Sequence, residues 1–136
     1  METGGCVLLI DDDRDIVRGV SLRLRNAGYE VLTAHDGAGG LKLAIDRAPD
    51  AIVLDMRMPI MDGMAVLAHL RDSARTRAIP IVVLSASVLS RNEIRGMGGG
   101  VRYFLEKPYN AGQLLEVVEA VTDKAERPCE LSEGEK

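Results

Sequence analysis

At 136 residues the chain has room for one domain with a proper core, and 46% hydrophobic against 28% charged residues is the balance of a water-exposed globular protein. A formal charge of −4 and the absence of Trp argue against a nucleic-acid partner, whose binding needs basic patches and stacking rings. The apolar runs fall far short of the roughly 20 residues that span a bilayer, and Met1-Glu2-Thr3-Gly4-Gly5 lacks the basic flank and apolar stretch of a secretory signal, so no membrane partner is expected.

Residues 1–5 read as a short lead. Cys6-Val7-Leu8-Leu9-Ile10 is a continuous apolar run of the kind buried on both faces of a parallel sheet, and it ends on Asp11-Asp12-Asp13. A helix is expected over 14–27, with Ile16, Val20, Leu24 and Ala27 at helical spacing and Gly28 as its stop. Tyr29 to Thr33 reads as the second strand. Asp36-Gly37 opens a helix carrying Leu41, Ala44 and Ile45, which Pro49 ends. Ala51-Ile52-Val53-Leu54 is the third strand and runs into Asp55. Asp62 is a good N-cap for a helix with Ala65, Val66, Leu67 and Leu70.

Pro80 precedes a fourth strand, Ile81 to Leu84, which meets Ser85. Residues 87–97 form a weaker helix, thin in apolar residues and running into Gly96-Met97-Gly98-Gly99-Gly100. Val101 to Leu105 is the fifth strand, followed by Lys107-Pro108. Asn110 caps a last helix, with Gln113 placed for a capping box and with Leu114, Leu115, Val117, Val118 and Val121 facing the sheet. From 123 to 136 the chain is charged and polar, and disorder is expected there. The pattern gives one α/β domain over 6–122, a doubly wound parallel sheet with helices on both faces. Cys6 in a buried strand and Cys129 in the tail do not suggest a disulfide, which favours a reducing, cytoplasmic location.

In such a sheet the loops at the carboxyl ends of neighbouring strands share one crevice. Asp11, Asp12, Asp55, Ser85 and Lys107 all follow strand ends and would meet there. A lone Asp at a strand end reads first as a turn or helix cap. Three carboxylates together repel, at roughly 4 kcal/mol per pair for about 4 Å and an effective dielectric near 20, and so call for a cation. Oxygen-only ligands favour Mg²⁺, and Asp55 beside it can act as a nucleophile toward a phosphoryl group. Such a transfer needs its equatorial oxygens stabilised, and Mg²⁺, the Lys107 ammonium and the Ser85 hydroxyl supply three contacts.

These segments resemble the receiver domain of two-component response regulators over residues 6 to about 122. The resemblance rests on Leu-Leu-Ile-Asp11-Asp12-Asp13, on Val-Leu-Asp55-Met-Arg-Met-Pro59-Ile-Met-Asp62-Gly63, on Val-Val-Leu-Ser85-Ala86 and on Phe-Leu-Glu-Lys107-Pro108. It implies a five-stranded flavodoxin-like sheet in the order 2-1-3-4-5. It also implies that Asp55 accepts phosphoryl from a histidine kinase or histidine phosphotransfer protein. Asp12 and Asp55 would hold Mg²⁺ with Asp11 helping through water and the Arg57 backbone carbonyl as a further ligand, and Ser85 and Lys107 would contact the phosphoryl group. Phe104 stands at the position where an aromatic ring changes rotamer when the hydroxyl residue moves, while neighbouring Tyr103 points to the other side of the strand.

Arg57 and Ser87 occupy positions where the family varies its phosphate lifetime; an ordinary loop arginine is the plainer reading of Arg57. The Lys107–Pro108 bond is often cis in the family. His35 and His69 read as solvated surface residues, and Asp13 and Asp15 as first-turn residues favoured by the helix dipole. Output is expected through a surface at 87–122 that binds another protein or a second copy of the chain. The domain would catalyse only its own phosphorylation and dephosphorylation. Two other readings share some of the chemistry. A haloacid-dehalogenase-like phosphohydrolase needs a second Asp two residues after its nucleophile, a place held by Arg57 if the nucleophile is Asp55 and by Asp13 if it is Asp11. A pseudo-receiver scaffold would not need the intact acidic set.

Overall fold

In a computed structural model, which describes residues 5–56, 63–85, 100–106 and 110–126, the apolar runs become the strands of one parallel sheet. They are β1 (Gly5–Ile10), β2 (Tyr29–Ala34), β3 (Ala51–Asp55), β4 (Ile81–Ser85) and β5 (Val101–Glu106). Their order is β2-β1-β3-β4-β5, as expected. The helices among the described residues are α1 (Arg14–Asn26), α2 (Gly37–Arg47), α3 (Gly63–Asp72) and α4 (Ala111–Glu126). None of them is long and apolar enough to cross a membrane. The expected Asp62 cap, the helix over 87–97, the glycines Gly96, Gly98 and Gly99, and residues 127–136 lie outside the described residues.

Successive side chains of a strand point to opposite faces, so uninterrupted apolar strands feed two cores at once. Leu8, Ile10, Ile52, Leu54, Ile81 and Val83 pack with Ala44 of α2 and with Val66, Leu67 and Leu70 of α3. Val7, Leu9, Val53, Val82 and Leu84 pack on the other side with Val17, Val20 and Leu24 of α1 and with Leu114, Val118 and Val121 of α4. Tyr29 and Thr122 fasten the far end of that second layer by a buried hydrogen bond of 2.9 Å between their hydroxyls.

The helix ends follow local chemistry. Asp13 Oδ1 accepts from the amides of Asp15 and Ile16, and Asp36 Oδ1 accepts from Gly39 at 2.7 Å. Asn110 and Gln113 form the expected reciprocal box, at 2.8 and 3.0 Å. Gly28, at φ +100°, ends the turn that follows α1, a conformation a side chain would resist. At Gly100 an added Cβ would lie 2.4 Å from the carbonyl oxygen of Ile79, because the Gly100 carbonyl itself accepts from Ile81 at 2.8 Å.

Some expectations need correction. The buried stripe of α1 is Val17, Val20, Ser21 and Leu24; Ile16 is half-buried and Ala27 exposed, because the true face is centred one residue beyond the apolar spacing first read. Ile45 is exposed, and Gly40 takes the inward place instead. There a Cβ would sit 2.5 Å from Ile10 Cδ1, so α2 approaches β1 closely only because Gly40 has no side chain. Cys6 is half-buried rather than buried, since β1 starts at the sheet's rim. The last helix continues to Glu126, so the first residues of the expected tail are helical.

Candidate functional site

The register of the central strands fixes the site. Ile10 pairs with Leu54, so the next residues, Asp11 and Asp55, emerge side by side where β1 and β3 end. Asp55 is opposite Leu84 in β4, which sets Ser85 one residue beyond it, and Ser85 in turn pairs with Glu106. A register shift between Ile81 and Val82 adjusts β5 against β4, so that Val82 faces Tyr103 and Val83 faces Phe104. The acidic end of β1 is held in the ladder by the Asp11 amide, which donates to the Ala34 carbonyl at 3.1 Å.

Asp11, Asp12 and Asp55 each offer one carboxylate oxygen, and these three atoms all lie within 4.8 Å of one another. Asp11 is 0% and Asp55 1% exposed, whereas Asp12 reaches solvent. Two buried like charges at that distance repel by about 3.5 kcal/mol at an effective dielectric of 20. Asp11 Oδ1 also accepts from the Asp13 amide at 3.0 Å, which shapes the turn from β1 into α1. Asp13 then serves as the α1 cap, so it belongs to the scaffold and not to the cluster. A donor set made only of carboxylate oxygens, partly buried and open on the Asp12 side, fits a hard divalent cation such as Mg²⁺.

Other expected site residues divide by whether the structure describes them. Arg57, Ser87, Lys107 and Pro108 lie outside the described residues, as does the side chain of Ser85. Phe104 is half-buried and packs against the core layer of α2 and α3. Its neighbour Tyr103 is 39% exposed, whereas Leu105 packs on the opposite layer. Met56, one residue after Asp55, is buried; its amide donates to the Leu84 carbonyl at 3.2 Å and its carbonyl accepts from Gly63 at 3.3 Å. The α3 N-terminus is thereby tied to the end of β3. A Cβ on Gly63 would come 2.5 Å from Met56 Cα.

Sequence reasoning misplaced His35. It is half-buried, and its Nδ1–H donates to the Asp11 carbonyl at 3.3 Å. A carbonyl can only accept, so the contact sets the donating nitrogen. The signal available was position: His35 follows Ala34, the partner of Ile10, and so stands beside Asp11. His69 is exposed, as expected.

The model of the response regulator receiver domain matches residues 7–119. The transcriptional regulatory protein PrrA of Mycobacterium tuberculosis is 40% identical over 115 residues, which are 85% of this chain and 48% of that protein. The chain thus spans about half the length of that relative. Among solved structures, the chemotaxis response regulator CheY4 of Vibrio cholerae superposes with a TM-score of 0.78 at 32% identity, covering 89% of this chain and 99% of the other. The receiver domain of the sensor histidine kinase PA1611 of Pseudomonas aeruginosa, solved with a magnesium ion coordinated in its active site cleft, gives a TM-score of 0.77 at 26% identity, covering 89% and 99%. With its parallel sheet in the order 2-1-3-4-5 and an acidic cluster where β1 and β3 end, this chain belongs to the response regulator receiver domain family.

Proposed function

We propose that Asp55 is the phosphoacceptor of a two-component relay, charged by a histidine kinase or a histidine phosphotransfer protein. The observation that carries this reading is the convergence of Asp11, Asp12 and Asp55 within 4.8 Å at the ends of adjacent strands. An Asp55 carboxylate oxygen attacks phosphorus, the nitrogen–phosphorus bond of the donor breaks, and the leaving imidazole nitrogen keeps the electron pair and takes a proton. Asp12, Asp55 and the Arg57 carbonyl would hold Mg²⁺, with Asp11 helping through water, and the ion would supply positive charge to the phosphoryl oxygens. Ser85 and Lys107 contact those oxygens as hydroxyl and ammonium donors. The domain then catalyses only its own phosphorylation and hydrolysis. A hydrolase of the dehalogenase kind is less well served, because Arg57 stands where its acid–base Asp would be.

Output follows from the switch pair. Movement of Ser85 toward the phosphoryl group makes room for Phe104 to turn, and the face over 87–122 changes toward an output protein or a second copy of the domain. The leverage is limited to how differently the phosphoryl group interacts with the two states. The domain, expected over 6–122, extends to the end of α4 at Glu126 and works in the cytoplasm, where such kinases present their phosphohistidine. Exposure to acetyl phosphate with Mg²⁺, followed by intact-mass measurement, tests the acceptor: wild type gains one phosphoryl group and Asp55→Asn gains none. Equal labelling of both proteins would overturn the assignment. With beryllofluoride, the largest amide shifts are expected over 85–107; shifts confined to the first two helices would refute the switch.

A further inference from the structure

Between α1 and β2 lies an open cavity of about 400 Å³, whose lining residue His35 adjoins the Asp11 backbone. Arg14, Arg18 and Arg25 line it together with Ser21, Leu22 and His35, and no Asp or Glu is among the lining residues. At about 100° per residue, Arg14, Arg18, Ser21 and Arg25 fall within roughly 60° of one another, so they form one stripe about 16 Å long on the helix. Among the described residues no ion pair engages any of the three arginines. Arg25 spends one of its five N–H donors on the Val31 carbonyl, at 3.2 Å, which fixes the guanidinium against the edge strand.

Ser21 supplies a second observation. It is 4% exposed, it lines the cavity, and its Oγ has no hydrogen-bond partner among the described residues. That oxygen is closed off from solvent, so it marks a polar floor beneath the cavity and is not itself a ligand contact. Leu22, 57% exposed, offers an apolar surface beside the cations. Planar guanidinium groups match phosphate geometry, and an apolar neighbour suits a ring or chain attached to it.

We infer that this cavity is a binding site for a small phosphate-bearing molecule, with Arg14 and Arg18 on its phosphate oxygens. Binding there does not rest on phosphorylation of Asp55, and its test uses neither Mg²⁺ nor a phosphodonor for that residue. ADP and inorganic pyrophosphate are titrated separately into the full chain in EDTA while amide shifts are followed. Saturable shifts at Ser21, Leu22 and His35 are expected, and tighter binding of ADP assigns the cavity to nucleotides, equal binding to inorganic phosphates. Arg14→Gln with Arg18→Gln should weaken binding by about tenfold or more, the scale of one lost charge-assisted hydrogen bond. No saturable shift with either probe, unaltered binding by the arginine variant, or saturation of the cavity by an acidic peptide alone would overturn the inference.

Discussion

Replacing Asp55 by Asn should stabilise the metal-free protein. Asn keeps the shape of the side chain and removes its charge from a site where Asp11 and Asp55 are buried with Asp12 beside them, all within 4.8 Å. The Asp11–Asp55 repulsion is about 3.5 kcal/mol at an effective dielectric of 20, and the exposed Asp12 adds less than about 1 kcal/mol because water screens it. Favourable contacts of the Asp55 carboxylate are lost as well, at about 1.5–3 kcal/mol for a hydrogen bond to a charged group, so the net gain should be about 1–2 kcal/mol. For a domain of this size that raises the melting temperature by roughly 3–8 °C. The assay is urea and thermal unfolding in EDTA, repeated with Mg²⁺. At ten times its dissociation constant the metal adds about 1.4 kcal/mol to wild type by mass action. That response should shrink in Asp55→Asn and largely vanish in Asp12→Ala. An Asp55→Asn protein no more stable than wild type in EDTA would refute the idea that these carboxylates strain one another.

Gly100→Ala should destabilise the fold by about 2 kcal/mol or more, because its Cβ would stand 2.4 Å from the backbone oxygen of Ile79 and backbone cannot step aside as a side chain can; unfolding in urea measures this, and an unchanged midpoint would contradict the close approach. Asn110→Ala removes half of a reciprocal cap and should cost about 0.5–2 kcal/mol, read by the same assay with Asn110→Asp as the conservative control. Burial pushes the Cys6 thiol above its ordinary 9.0, with Glu30 and Asp50 adding to the effect and Arg47 opposing it. The folded state therefore holds this proton more tightly, and the stability so contributed is complete below pH 9 and is lost as pH rises through the folded value. In a Cys129→Ser background, alkylation of the native protein should show its midpoint above 9, and a midpoint at or below 9 would refute the burial effect.

The strands were legible in the chain because parallel strands buried on both faces must be apolar throughout, and only short runs such as Val7 to Ile10 or Ile52 to Leu54 satisfy that, whereas their order in the sheet came from the family resemblance. The helix starts at Asp36 and Asn110 were legible for a similar reason, since each depends on a side chain and an amide three residues away, whereas Asp13, read as a first-turn residue, is the N-cap of α1. Asp11, Asp12 and Asp55 could be assembled from sequence because strand ends in a parallel sheet share one edge. What the sequence could not decide was contact between distant segments. The inward face of α1 depends on how the helix rotates onto the sheet, so Val17 and Ser21 took places that spacing alone assigned to Ile16 and Ala27. Gly40 matters only because α2 settles against Ile10, and His35 only because the β1–β2 register brings it to the Asp11 carbonyl. The arginines of α1 were visible as charges, but the cavity they line exists only once β2 lies beside the helix.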